Sequence, residues 1–173
     1  MKKLAVFFLE RFDKFVVRCA GWSHIPNSKT NFFYLTPHIY KGKTIKLKDG
    51  TFIRKGDWVA ELHIDNISIK TLNVSYQGIL KLFREELITL KQSFNAEPYS
   101  KVKAIHGISV FYNIARRQGF TIIDVDNIFK RVFESIWENI LRLLLKKYNK
   151  KTRKKFVGSK ECWISKDQIM IMN

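Results

Sequence analysis

Glu61, His63 and Asp65 alternate along the segment KGDWVAELHIDN, Lys55 to Asn66, which sets a carboxylate, an imidazole and a second carboxylate at every second residue. On an extended strand, residues i and i+2 share a face about 6.6–6.8 Å apart, so a Glu and a His can converge on one divalent ion or one substrate proton. Asp57 and Asn66 flank the run, and His106 lies on a second stretch that reads as a strand. Glu61, His63, Asp65, Asn66 and His106 are therefore the candidate ligand-binding residues, and they permit a three-ligand metal site with one open position. The alternation also has a plainer origin. If Trp58, Ala60, Leu62 and Ile64 take the core face, the odd residues are polar because their face meets solvent or a polar groove, and His63 is simply paired with Glu61. That face thus reads as solvated surface, as a ligand-binding groove or as a metal-assisted catalytic site. The chain carries no GxSxG elbow, HExxH, P-loop or GxGxxG, so no catalytic residue and no cofactor is assigned.

The elements that must position these residues can be read from periodicity. Leu4, Phe8, Phe12, Phe15 and Cys19 recur at helical spacing over the first 20 residues, with Gly21 as a stop. Ser23 to Thr30 reads as a loop around Pro26. From Asn31 to Asp65 the pattern turns to β, with Phe32 to Leu35, Ile39-Tyr40, Thr44 to Lys48, Thr51 to Ile53 and Trp58 to Ile64 as an antiparallel meander. Asp49-Gly50 and Lys55-Gly56-Asp57 supply its turns, because glycine adopts the positive φ that tight turns require. A second helix is predicted from Val74 to Phe94 on the stripe Tyr76, Leu80, Phe83, Leu87, Leu90 and Phe94, with Arg84, Glu85 and Glu86 on its exposed side. Then follow a strand at Val102–Ile108, a short helix at Val110–Gln118 closed by Gly119, a strand at Phe120–Val125 and a long helix from Ile128 to Tyr148. A last strand at Glu161–Ser165 has Ser165 capping a final turn. The fold class is α+β: a single domain with a mostly antiparallel sheet packed against amphipathic helices.

Five segments, in order, carry a family likeness: LKDGT (Leu47 to Thr51), KGDWVAELHIDN, VKAIHGIS (Val102 to Ser109), RRQGF (Arg116 to Phe120) and WISKDQI (Trp163 to Ile169). Together they resemble the YkoP-like family, small bacterial proteins without an assigned activity. The resemblance covers nearly the whole chain and implies one YkoP-like α+β domain over residues 1–173. A related domain is appended to some polysaccharide deacetylases, which implies an accessory role near cell-envelope glycans. It transfers no catalytic residue.

Composition narrows the partners. Of 173 residues, 46% are hydrophobic and 14% aromatic, enough for a globular core. Lys and Arg number 32 against 15 Asp and Glu, a net charge of +17 that attracts polyanions. From Arg142 to Lys155 the charge is densest, making Lys146, Lys147, Lys150, Lys151, Arg153, Lys154 and Lys155 candidate anion-binding residues. They suit an anionic membrane surface or anionic polymer, with each charge near an anionic bilayer contributing on the order of 1 kcal/mol. A solvated loop is the plainer explanation, and nucleic acid would be drawn by the same charge, although RNP-type and zinc-finger patterns are missing. Cys19 and Cys162 are not in paired spacing, which suggests a reducing cytoplasm and buried packing. The apolar run Leu4 to Leu9 after Met1-Lys2-Lys3 is shorter than a signal-peptide core, and no stretch approaches the length of about 20 residues needed to span a bilayer. The expectation is a cytoplasmic protein, at most peripheral to the membrane. Its preferred function is that of a non-catalytic accessory or binding protein; a small metal-assisted hydrolase using Glu61, His63 and His106 is the alternative, and a nucleic-acid binder comes third.

Overall fold

The computed structural model describes residues 11, 17–19, 21–65, 76–109, 111–125 and 158–173. Most of the helix expected over the first 20 residues, the helix expected over 128–148 and the basic residues from Lys146 to Lys155 lie outside them, as does Asn66. The strands are β1 (Ser23–His24), β2 (Phe33–Ile39), β3 (Ile45–Lys46), β4 (Phe52–Ile53), β5 (Trp58–Ile64), β6 (Ala104–Ser109), β7 (Thr121–Asp124) and β8 (Lys160–Ser165). The helices are α1 (Tyr76–Ser93), α2 (Tyr112–Arg117) and α3 (Lys166–Met170).

Six strands form one sheet in the order β1-β2-β5-β6-β8-β7, and β3 and β4 form a separate two-stranded sheet. Within the larger sheet β5 and β6 run parallel, and every other described pairing is antiparallel. A parallel pair cannot be joined by a tight turn, and α1 lies in the crossover between them. This is the expected α+β class with a mostly antiparallel sheet, but not the expected meander. β2 pairs directly with β5 over seven residues, and the hairpin β3–β4 is an excursion between them. β2 also runs unbroken through Pro37. Since β1 is only two residues long, β2 is an edge on that side at Pro37, where a missing N–H breaks no ladder. Ser23–His24, expected in a loop, is β1 itself, paired with Leu35 and Tyr34.

The two faces of the sheet bury different things. One packs Phe33, Leu35, Ala60, Leu62, Ile105 and Ile164 against Phe83, Leu87, Leu90 and Phe94 of α1, Ile114 of α2 and Ile169 of α3. Ser165 caps α3 as expected, its hydroxyl accepting from Gln168 N–H at 2.9 Å. On the opposite face the hairpin side chains Leu47 and Ile53 cover Val59, Ala104 and Trp163. Three expectations about side chains are corrected. Glu86 is buried rather than a surface charge, because position 86 borders the buried stripe at 83, 87 and 90, and it accepts hydrogen bonds from the Ser28 and Thr30 hydroxyls. Trp58 is 38% exposed at the start of β5, where it lines a cleft with Lys101, Lys103, Lys166 and Asp167 rather than joining the core. Cys19 is exposed while Cys162 is buried, and both are free thiols.

The hairpin is tied to the main sheet through its turn. Asp49 accepts hydrogen bonds from the Ser165 hydroxyl and from the N–H and hydroxyl of Thr51. Partial burial pushes its pKa upward, but those donors together outweigh burial and hold it below the ordinary 3.8. Asp57 is balanced in the same way: burial raises it, while the Arg54 N–H and the Lys103 ammonium bring it below 3.8. Both groups are therefore protonated more readily in the unfolded chain, so the stability they supply is intact above pH 3.8 and disappears as pH falls through their lower folded values. Urea midpoints measured downward from pH 6 should drop below about pH 4, and less so in an Asp49→Asn/Asp57→Asn double variant. An identical pH profile for wild type and variant would show that these carboxylates do not couple to folding.

Candidate functional site

Cross-strand register decides which side chains meet. Residues directly opposite one another on paired strands share a face of the sheet. One row runs across five strands: Thr36 on β2, Glu61 on β5, His106 on β6, Trp163 on β8 and Thr121 on β7. The adjoining row is His24, Tyr34 and His63, and His38 follows on the same face of β2, opposite Val59. All four histidines of the chain thus lie on the sheet face opposite α1.

Aromatic stacking and a few polar contacts fix their orientation. His63 stacks on Trp22 with centroids 3.7 Å apart, and its Nε2 lies 3.6 Å from Glu61 Oε1. His24 stacks on Tyr34 at 4.1 Å and lies 3.9 Å from Asp65, which also accepts a 3.1 Å hydrogen bond from the Tyr34 hydroxyl. His106 is buried and stacks flat on Trp163 at 4.3 Å, while its Nε2 lies 3.4 Å from His38 Nε2. The second nitrogen of His38, Nδ1, is 3.3 Å from the Thr36 carbonyl. Thr36 Oγ1 and Trp163 Nε1, both in the Glu61 row, are buried without a hydrogen-bond partner among the described residues.

Glu61 and His63 therefore project together as the alternation requires. Asp65 lies one residue past the end of β5 and is buried, directed to Tyr34 and His24 rather than toward a shared centre with Glu61 and His63. His106 stands beside Glu61 in register, yet the imidazole that meets it is His38, not His63. Among the described residues no three His, Cys, Asp or Glu side chains are already gathered as metal ligands. Sequence reasoning passed over Trp22, His24, Tyr34, His38 and Trp163. A signal for part of this set was present, since Tyr34, Thr36 and His38 alternate with Phe33 and Leu35 just as Glu61 and His63 alternate with Ala60 and Leu62; Pro37 obscured it. A separate cleft is lined by Thr51, Asp57, Trp58, Lys101, Lys103, Lys166 and Asp167, with Asp57 and Lys103 paired at 3.0 Å.

A parallel pair inside an otherwise antiparallel sheet, helices on one face and a histidine-rich second face describe an α+β domain with a polar sheet surface. The chain belongs to the YkoP domain family, which it matches over residues 2–173. It is similar to the uncharacterized protein YkoP of Bacillus subtilis (strain 168), at 32% identity over 120 residues, 65% of this chain and 66% of that protein's length. No solved structure matches the chain. Among the described residues, no helix is long and apolar enough to cross a membrane.

Proposed function

We propose that this chain is a non-catalytic accessory module that holds an anionic, hydroxyl-rich polymer of the cell envelope. The observation that supports it is the face on which His24, His63 and Glu61 stay 33%, 25% and 30% exposed, beside the stacked ring of Trp22. Imidazoles and a carboxylate give donors and acceptors for hydroxyl groups, and an indole gives a flat apolar surface, the mixture by which recognition sites fix orientation. The +17 charge supplies the attraction, with Lys146, Lys147, Lys150, Lys151, Arg153, Lys154 and Lys155 as its densest part. The setting near envelope glycans is the one implied by the resemblance read from the sequence. On this reading the protein acts on the cytoplasmic side of the envelope.

Binding of the full chain to a purified anionic wall polymer, measured at several salt concentrations, tests it. Affinity should fall about tenfold or more between low and physiological salt as counterions are recaptured. Replacing the Lys and Arg residues of Lys146 to Lys155 by Gln should flatten that dependence. Glu61→Gln with His63→Ala should weaken binding about tenfold at fixed salt, the scale of one or two lost polar contacts. If both variants bind like wild type, the proposal fails. Tighter binding to anionic vesicles or to nucleic acid than to the polymer would replace it with a membrane or nucleic-acid role.

A further inference from the structure

We propose that His38 and His106 form the core of a transition-metal site, suited to zinc or a similar first-row divalent cation, that Glu61 completes. Their Nε2 atoms are 3.4 Å apart, their centroids are 5.2 Å apart and their planes cross at 69°. Two imidazole nitrogens bound at about 2.0–2.1 Å to one tetrahedral zinc are themselves about 3.3–3.4 Å apart. The observed pair already has that spacing.

The backbone makes the meeting a constructed one. β5 separates β2 from β6, and strands are spaced about 4.8 Å, so the two histidines start about 9.6 Å apart across the sheet and, being two residues out of register, about 6.7 Å apart along it, and they lean toward each other diagonally over β5. Each ring is held from behind. His106 is pinned flat against Trp163. His38 sets Nδ1 3.3 Å from the Thr36 carbonyl, which can only accept, and this contact turns its Nε2 toward His106. A backbone carbonyl on the far ring nitrogen is a pattern that orients histidines on metals. Glu61 is opposite His106 in register and on the same face. Its carboxylate lies 3.6 Å from His63 Nε2, and completing the site requires it to turn from there to the imidazole pair when the metal binds. Two imidazoles and a carboxylate suit zinc, cobalt or nickel better than magnesium or calcium, which favour all-oxygen shells. This site shares Glu61 with the polymer-binding face, but it stands on His38 and His106, which that face does not use, and neither reading needs the other.

Titration of the chelator-treated 173-residue chain with Co(II), followed through its visible absorption and then displaced by Zn(II), reads the site directly. The expected result is one equivalent bound. His38→Ala should weaken it by more than about 100-fold, beyond the loss typical of an outer-shell residue. Glu61→Gln should weaken it less, and His63→Ala should leave it unchanged or tighter because Glu61 then turns more readily to the pair. His106→Ala is informative only if circular dichroism shows it folded, so His38→Ala, half-buried, is the deciding variant. No uptake of either metal, uptake that survives His38→Ala, or uptake abolished by His63→Ala each overturns the assignment.

Discussion

Trp163→Ala is expected to remove about 3–5 kcal/mol of folding stability, the range for deleting a fully buried large aromatic side chain. Whole domains are stable by only about 5–15 kcal/mol, so the variant should sit near the edge of folding. The cause is the position of the indole. It is completely buried at the centre of the second core, against Leu47, Ile53, Val59 and Ala104, with Tyr40 edge-on at 5.4 Å. Those contacts hold the β3–β4 hairpin on the sheet, and the same ring is the platform for His106. Urea denaturation gives the loss through the shift in midpoint at constant slope. Trp163→Phe should retain much of the stability, because it keeps an aromatic ring at the site. A loss under about 1 kcal/mol for the alanine variant would mean that the hairpin and sheet do not depend on this contact, since such a value is typical of surface positions.

Gly107→Ala should also destabilise, by about 1–3 kcal/mol, the range for inserting an atom where packing leaves no room. Elsewhere in a strand this substitution would favour folding, since alanine loses less conformational freedom than glycine. At Gly107 a Cβ would stand 2.6 Å from the Leu62 carbonyl oxygen, a backbone atom that cannot swing aside. Accommodating it requires β6 to move from β5 just beyond the register pair Glu61 and His106. Two readouts are therefore expected together: a lower denaturation midpoint, and faster amide exchange confined at first to β5 and β6. A stabilised variant would show that β6 can shift at no cost, and the close approach of the two strands would then not be a constraint.

Much of the secondary structure was legible because local patterns carry it. The alternation at Trp58–Ile64, the helical stripe at Phe83, Leu87, Leu90 and Phe94, and the Ser165 cap all appear where periodicity and capping chemistry put them. The turns followed from Gly50 and Gly56, whose φ values of 89° and 98° are those that glycine adopts without strain. The readings that failed depended on neighbours distant in sequence. Trp58, the first residue of β5, has the alternation of the core side but lines a cleft with Lys101, Lys103 and Lys166, residues distant in sequence. Glu86 looked like one more surface charge until Ser28 and Thr30, 58 and 56 positions away, supplied its hydrogen bonds.

The site divides along the same line. The sequence by itself determined that Glu61 and His63 share a face, because a strand repeats every two residues and that period is written in the order of the side chains. It also determined the α+β class and the excess positive charge. Only the tertiary structure decided what stands next to that face. Pairing β2 with β5 instead of with the hairpin, and laying β6 parallel to β5, brought His38 to His106 across 68 residues and left His63 with Trp22 and Glu61. Strand partners are chosen by how two cores close on opposite sides of a sheet, a property of the assembled layers that no single segment contains.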